Sequence, residues 1–426
     1  MIRGLRLDDD ARFQLGLALV TLVAIAVRGW GLASQPLLAD DLMSGISAVS
    51  FVERGQVGPT MWHHPHLRDL AVYLSTSALG TTKLGLVLPS LVLGVLSVPA
   101  LALLGRRVAG PAAGIVAAAL LSVEALHVGM SREAVQEVYT AGFGIAATLL
   151  VLAFDRTRRP SALLAAGFAF GLGAAAKWSV VGVAAVAVGW VGWRELRRGG
   201  PRREVAARAA LVVAALVVLP ATVYLLTWTP WFLAGRDLLD WLGLHHAMAL
   251  EAATHGGFSD AELLLARPAA TWFVLPTGYA SFAAGPGGPV PYVFVTNPAI
   301  WLLVLPSAAA VAWSAWRERR AEQALVVAAF AATYLPFVAV ARRIWLHSAL
   351  AAEPFALVLV AVAVTRAAAR VTRPRLALAA FLAVVTVIAV PLDLLATGHG
   401  WGSPELRGIA ERFRPPPELE GAAGAR

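Results

Sequence analysis

Apolar runs about as long as a bilayer-crossing helix recur along almost the whole chain, and they leave few folds open. A helix rising about 1.5 Å per residue needs about 20 apolar residues to span the hydrocarbon core. Such runs fall near 13–32, 84–104, 110–128, 133–154, 160–175, 178–193, 208–228, 297–316, 322–340, 345–365 and 375–396. Only 14% of the 426 residues are charged and 58% are apolar, whereas soluble domains carry about 25% charged residues. Membrane barrel strands would alternate with period two over short segments instead. The expected fold is therefore all-α, a polytopic membrane protein of about eleven spanning helices. Two long connecting segments, 33–83 and 229–296, should carry amphipathic helices lying on the membrane surface. Residues 1–396 form one transmembrane domain in this reading, and the Pro-, Gly- and Ala-rich tail 397–426 is expected to be poorly ordered.

Basic residues set the orientation. Arg106 and Arg107, then Arg156, Arg158 and Arg159, then the group from Arg194 to Arg208, then Arg317, Arg319 and Arg320, and last Arg366 to Arg375 form successive clusters. With eleven spans all of them share a side with Arg3, Arg6 and Arg12, and the positive-inside rule makes that side the cytoplasm. The net charge of +9 is then an orientation signal, and nucleic-acid binding is a poor explanation of it. The first run reads as a retained signal anchor rather than a cleaved leader. Cysteine is absent, which excludes disulfides and a thiolate nucleophile. No Walker loop, dinucleotide fingerprint or HExxH sequence occurs.

The same parity places a set of polar residues outside. Asp40 and Asp41 sit just beyond the first run, and like charges so close raise one another's pKa. A solvated loop is the plain explanation; a catalytic base at the membrane surface is the alternative the position favours. Arg132, Lys177, Arg342, Arg343 and His347 fall at outer span ends, where basic residues are disfavoured and an anionic ligand would account for them. Lys177 alone could be a snorkelling side chain. The Arg342–Arg343 pair suits bidentate phosphate recognition, with one of the two facing the site. Arg132 and Glu137 stand five apart, roughly 140° around a helix, so they need not share a cluster, and a buried ion pair is an equal reading of Glu137. His63, His64, His66, His245, His246 and His255 could hold a divalent cation, but histidines without supporting carboxylates more often hydrogen-bond. Most tryptophans suit an interfacial belt, while Trp272 or Tyr279 could stack on a sugar.

Taken in order, these residues resemble a family. Ala39-Asp40-Asp41-Leu42-Met43-Ser44-Gly45 followed by His64-Pro65-His66-Leu67 is similar to the first outer loop of the protein O-mannosyltransferases, which are GT-C membrane glycosyltransferases. Ser131-Arg132 with Glu137, Lys177-Trp178, the segment Tyr224 to Pro230 with His246, Met248 and His255, and Asn297-Pro298 continue the likeness. Tyr334-Leu335-Pro336-Phe337, Arg342 or Arg343, His347 and Pro354-Phe355 complete it. Each motif is weak alone, and seven in order are specific. The chain departs at Asp41, where the family has Glu, at His66 for a second Pro, at Trp62 and at Ser348. The loop 229–296 is also too short for the carbohydrate-recognition domain of eukaryotic members.

The resemblance implies inverting transfer of a sugar, mannose first, from a polyprenyl-phosphate donor to a Ser or Thr hydroxyl of a secreted protein at the outer face. It implies Asp40 as the general base on that hydroxyl, with Asp41 as the second catalytic carboxylate. Arg132, Lys177, Arg342, Arg343 and His347 would meet the donor phosphate, and His64, Glu137, His246, His255 and Trp272 the substrate. No cofactor is required, and the partners are membrane lipids, the donor, the acceptor and the secretion machinery. A lipid or envelope-glycan acceptor with a pentose or amino sugar is the nearest alternative. A lipid-linked sugar flippase is a more distant one, disfavoured because the charges gather on one face and no paired broken helices mark inverted repeats.

Overall fold

The computed structural model describes residues 8–58, 62–254, 268–275, 277–285, 288–340 and 344–399. Every expected apolar run is helical. The helices over these runs are α1 (Asp9–Gly29), α4 (Lys83–Ala109), α5 (Pro111–Ser122), α7 (Glu137–Thr157), α8 (Pro160–Ala176) and α9 (Val181–Arg197). After them come α10 (Arg202–Val213), running through a π turn into α11 (Leu219–Leu226), then α15 (Val304–Arg317), α16 (Ala321–Ala339), α17 (Glu353–Ala368) and α18 (Pro374–Ala396). Among the described residues eight helical segments are long and apolar enough to cross a membrane, with α5 and α8 apolar but shorter. The third run is broken after Ser122: the short α6 (Ala125–Met130) follows Glu124, whose carboxylate caps it by accepting from the His127 N–H at 3.0 Å. A buried charged cap of that kind ends the apolar span early.

The first long loop folds as α2 (Ala39–Arg54) and α3 (Leu67–Leu79). In α2 the buried stripe holds Asp41, Ser44, Ser47 and Phe51, while Leu42, Ile46 and Val49 are exposed. An apolar stripe turned outward beside a polar stripe turned inward is the pattern of a helix lying on lipid. The second long loop carries α12 (Thr229–Leu233) and α13 (Leu238–Thr254), whose Leu238, Leu239, Leu242 and Leu250 are exposed. It also departs from the all-α expectation: β1 (Gly278–Gly285) and β2 (Gly288–Val295) pair antiparallel, Gly278 opposite Val295. The β-branched and aromatic run Tyr292–Val295 is a strand signal. The short α14 (Pro298–Trp301) follows. The tail beyond residue 399 lies outside the described residues.

Ion pairs gather the basic clusters at one end of the bundle. Arg106 meets Asp10 at 2.6 Å, Arg107 meets Glu322 at 3.6 Å, and Arg366 meets Glu318 at 3.7 Å. Arg158 and Arg208 both reach Glu195, at 2.5 and 3.2 Å. The opposite end holds α2, α3 and the turn before α7. That turn packs closely on α4 because Gly94 has no Cβ; one there would collide with the Ser131 hydroxyl.

Candidate active site

Asp40 and Asp41 occupy the first turn of α2 and face different surroundings, since consecutive helical residues are about 100° apart. Asp41 is fully buried. One of its oxygens accepts from the Leu38 N–H at 3.0 Å and from Lys83 Nζ at 2.5 Å. The other accepts from the Ala134 N–H at 2.9 Å. Expected as half of a catalytic pair, Asp41 is thus a cap and ion-pair partner joining α2, α4 and the 131–136 turn. Asp40 is half-buried and, among the described residues, makes no hydrogen bond or ion pair. Burial, then the nearby charges of Glu137 and Asp41, raise its pKa to about 6, with Arg68 acting the other way. A carboxylate so tuned can take a proton near neutral pH.

Beside it lies a mixed cluster. Glu137, the first residue of α7, accepts from Lys177 Nζ at 2.6 Å, and His347 Nε2 stands 3.5 Å from the same oxygen. Lys177 Nζ also lies 3.4 Å from Ser348 Oγ. Lys177 caps α8 in an extended conformation, at the break before α9, and that break keeps the ammonium at the mouth of the bundle. Burial lowers His347 to about 4, with Glu137 and Lys177 pulling in opposite directions. His64 is held well below the ordinary histidine range by burial, then by Lys177, His63, Arg68 and His347. Both imidazoles are therefore neutral at pH 7, each with one N–H to donate. Lys177 is the cation of the cluster among the described residues.

Support comes from a buried network beneath α2. Asp69 takes His66 Nδ1 at 2.6 Å, Arg68 Nε at 2.9 Å and Ser47 Oγ at 2.9 Å, and Arg68 Nη1 donates to Gln136 at 2.8 Å. Burial alone would raise Asp69, but Arg68 and His66 more than offset it and its pKa is lowered. His66 stacks on Phe51, ring centroids 4.0 Å apart, so this departure from the family pattern fills a core position. Glu133 is also buried, and burial followed by Asp41 and Asp40 drives its pKa well above the ordinary range, against the pull of Lys83.

Several residues expected at the site sit elsewhere. Arg132 donates from Nη1 to the carbonyls of Arg28 at 2.7 Å and Trp30 at 2.9 Å, so it caps the C-terminal end of α1, where cations are favoured. Trp272 is fully buried against Tyr334 and Phe337, and it cannot present a ring to a sugar. His246 is exposed on α13. Its neighbour His245 turns inward instead: Trp178 Nε1 donates to Tyr224 OH at 3.1 Å, and that hydroxyl lies 2.7 Å from His245 Nε2. His245 Nδ1, 2.8 Å from the Trp241 carbonyl, must carry the ring proton, so the Tyr224 hydroxyl donates to Nε2. Arg342, Arg343 and His255 lie outside the described residues. Among the described residues no group of three or more His, Asp or Glu side chains converges as a cation site.

Sequence reasoning passed over Lys83, Asp69, Arg68 and Glu133. Charged residues inside apolar or amphipathic helices were the available signal, since such groups stay buried only with partners.

Comparison with known proteins adds the class. Residues 63–228 match the family described as dolichyl-phosphate-mannose-protein mannosyltransferase. A search of curated protein sequences gives no match. Among solved structures the chain is similar to the S. cerevisiae protein O-mannosyltransferase Pmt1-Pmt2 complex bound to the sugar donor. The TM-score is 0.79 at 12% identity, covering 94% of this chain and 92% of that chain. It is also similar to ArnT from Cupriavidus metallidurans bound to undecaprenyl phosphate, with TM-score 0.52, 14% identity, and 93% and 75% of the two chains covered. A third likeness is to AglB from Archaeoglobus fulgidus in complex with an inhibitory peptide and a dolichol-phosphate, with TM-score 0.55 and 13% identity. There 96% of this chain and 60% of that chain are covered. The chain thus has the GT-C fold of membrane glycosyltransferases. Over residues 63–228 its sequence is similar to the protein mannosyltransferase family, and over nearly its full length its fold is similar to that of Pmt1-Pmt2.

Proposed function

We propose that this protein transfers a sugar, mannose first among the candidates, from a polyprenyl-phosphate carrier to an acceptor hydroxyl at the outer membrane face. The observation that carries the reading is the juxtaposition of Asp40, a carboxylate with no hydrogen bond or ion pair among the described residues, with the Glu137–Lys177–His347 cluster. The acceptor oxygen bonds to the anomeric carbon from the face opposite the phosphate. The carbon–oxygen bond to the phosphate breaks, its electron pair leaves on the phosphate, and the acceptor proton passes to Asp40. Lys177, oriented by Glu137, stabilises the departing phosphate dianion, and the N–H group of His64 donates to its oxygens, while His347 Nε2 faces the Glu137 carboxylate. Arg342 and Arg343, five and four residues before His347 in sequence, are proposed as additional phosphate ligands. Asp41 and Arg132 keep structural roles in this scheme.

The positive-inside rule, applied to the basic end of the bundle, puts the N-terminus in the cytoplasm and Asp40 outside. A Ser or Thr of a secreted chain is the proposed acceptor, supported by the family match and the similarity to Pmt1-Pmt2. Purified protein supplied with labelled polyprenyl-phosphate mannose, a Ser/Thr-rich peptide and a membrane glycolipid tests this directly. Label in the peptide, with inverted anomeric configuration, is the expected result. Label in glycolipid alone would move the acceptor to the lipid class, and retained configuration would remove the single-displacement mechanism.

A further inference from the structure

A second polar cluster joins α1, α6, α14, α17 and α18, and no part of the catalytic scheme uses it. Arg28, Glu124 and Glu353 are each at most 1% exposed there, and Asp393 of α18 stands beside them half-buried. Glu124 accepts from Trp301 Nε1 at 2.9 Å, from the His127 N–H at 3.0 Å and from the Asn297 N–H at 3.4 Å. Three such donors favour the charged form of a carboxylate. Glu353, the first residue of α17, faces Glu124 within hydrogen-bonding reach. No N–H or hydroxyl among the described residues donates to either of its oxygens. Arg28 points its guanidinium elsewhere, at the carbonyls of Leu121 and Ser122 and at His127 Nδ1, each 3.0 Å away. Two carboxyl groups that meet away from water without a bridging cation cannot both be ionised. The donors on Glu124 decide which one is charged, so the proton sits on Glu353 and its O–H donates to Glu124.

This hydrogen bond ties together the two segments that meet at the site. Glu124 caps α6, which leads through the 131–136 turn to Glu137. Glu353 follows the 3-10 helix Leu346–Ala351, which carries His347 and Ser348 and packs against α7. Lys177 touches both segments, at Glu137 and at Ser348.

We propose that Glu124 and Glu353 are positioning residues, a carboxylate and a carboxylic acid sharing one proton. Their bond holds the His347 segment against Glu137 and so fixes where Lys177 meets the donor phosphate. The inference rests on the proposed function for that phosphate, yet it can fail separately. The test uses the full chain in detergent with polyprenyl-phosphate mannose as the donor. The infrared carbonyl band of a protonated carboxyl, shifted in D2O, should be present in the wild-type protein and be reduced by one group in Glu353→Gln. Glutamine keeps an N–H to donate to Glu124, so that variant should hold the donor KM within about twofold of wild type. Glu353→Leu keeps much of the volume and removes the donor, and it should raise the donor KM about tenfold with kcat changed far less. Should the leucine variant unfold, the infrared comparison of wild type with Glu353→Gln decides alone. An unchanged band in Glu353→Gln would overturn the proposal, as would a glutamine variant as impaired as the leucine one, or a loss confined to kcat. A band that Glu353→Gln removes, in a protein that binds no polyprenyl-phosphate sugar, would leave the shared proton standing and remove the catalytic reading. Sugar transfer without that band would do the reverse.

Discussion

Asp40 and Asp41 share a side-chain chemistry and differ in what surrounds it. Asp41 has a cation and two backbone N–H groups, whereas Asp40 has burial and neighbouring negative charge. As the proposed base, Asp40 must be ionised to accept a proton, and with its pKa raised to about 6 kcat/KM should fall as pH drops below that value. Above it the rate should level off, and a pH profile flat down to pH ~4.5 would mean another group takes the proton. Lys83→Met tests the other acid. It leaves Asp41 buried without its cation, which should lower stability by about 3–5 kcal/mol. A denaturation midpoint equal to wild type would contradict the assigned role. The sequence showed that an acidic pair stood at the membrane surface. It could not divide the labour within the pair, because Asp41's partner lies 42 residues on and its register depends on how α2 docks on α4. The position of Arg132 depends on a contact of the same kind, since its Nη1 reaches the carbonyls ending α1 between segments more than 100 residues apart.

At the scale of elements, the break between α8 and α9 is what turns Lys177 toward the site, and α13 braces the residue after it. Trp178, Tyr224 and His245 form a hydrogen-bonded chain from that break to the surface helix. Tyr224→Phe removes both bonds and keeps the ring, so it should raise the donor KM severalfold with little change in stability. Unchanged donor KM would show that α13 has no hold on Lys177. The spanning helices were legible because each apolar run needs no partner to be recognised. The choice of His246 over His245 was not, since the two are adjacent on α13 and only docking decides which faces inward. The β1–β2 hairpin was hidden by its first strand, whose Gly and Ala residues carry no strand signal. Trp272 resembled a belt or stacking residue in sequence, and the packing of Tyr334 and Phe337 made it core.

Over the whole molecule the charges divide into two ends, a basic end of arginine ion pairs and a site end with Asp40, Glu137 and Lys177. The chain lacks cysteine, so single cysteines report topology without background. Ser77→Cys on α3 should react with an impermeant maleimide in intact cells, and Arg319→Cys should react only after permeabilisation. The opposite pattern would put the site on the cytoplasmic face and remove the secreted acceptor. The apolar helices were readable from hydropathy because that signal acts along the sequence, and arginine placement gives the orientation that the labelling would test. The cluster around Glu137 brings together segments far apart in the chain, and only the folded bundle assembles it.

The most direct measurement is made on Asp40→Asn, with donor binding and sugar transfer followed in the same purified preparation. Loss of proton acceptance without loss of phosphate contacts predicts turnover reduced at least ~10²-fold with the donor Kd within about twofold of wild type. Near-normal turnover, or donor binding lost in parallel with transfer, would contradict the assignment of Asp40 as the base beside a phosphate-holding cluster.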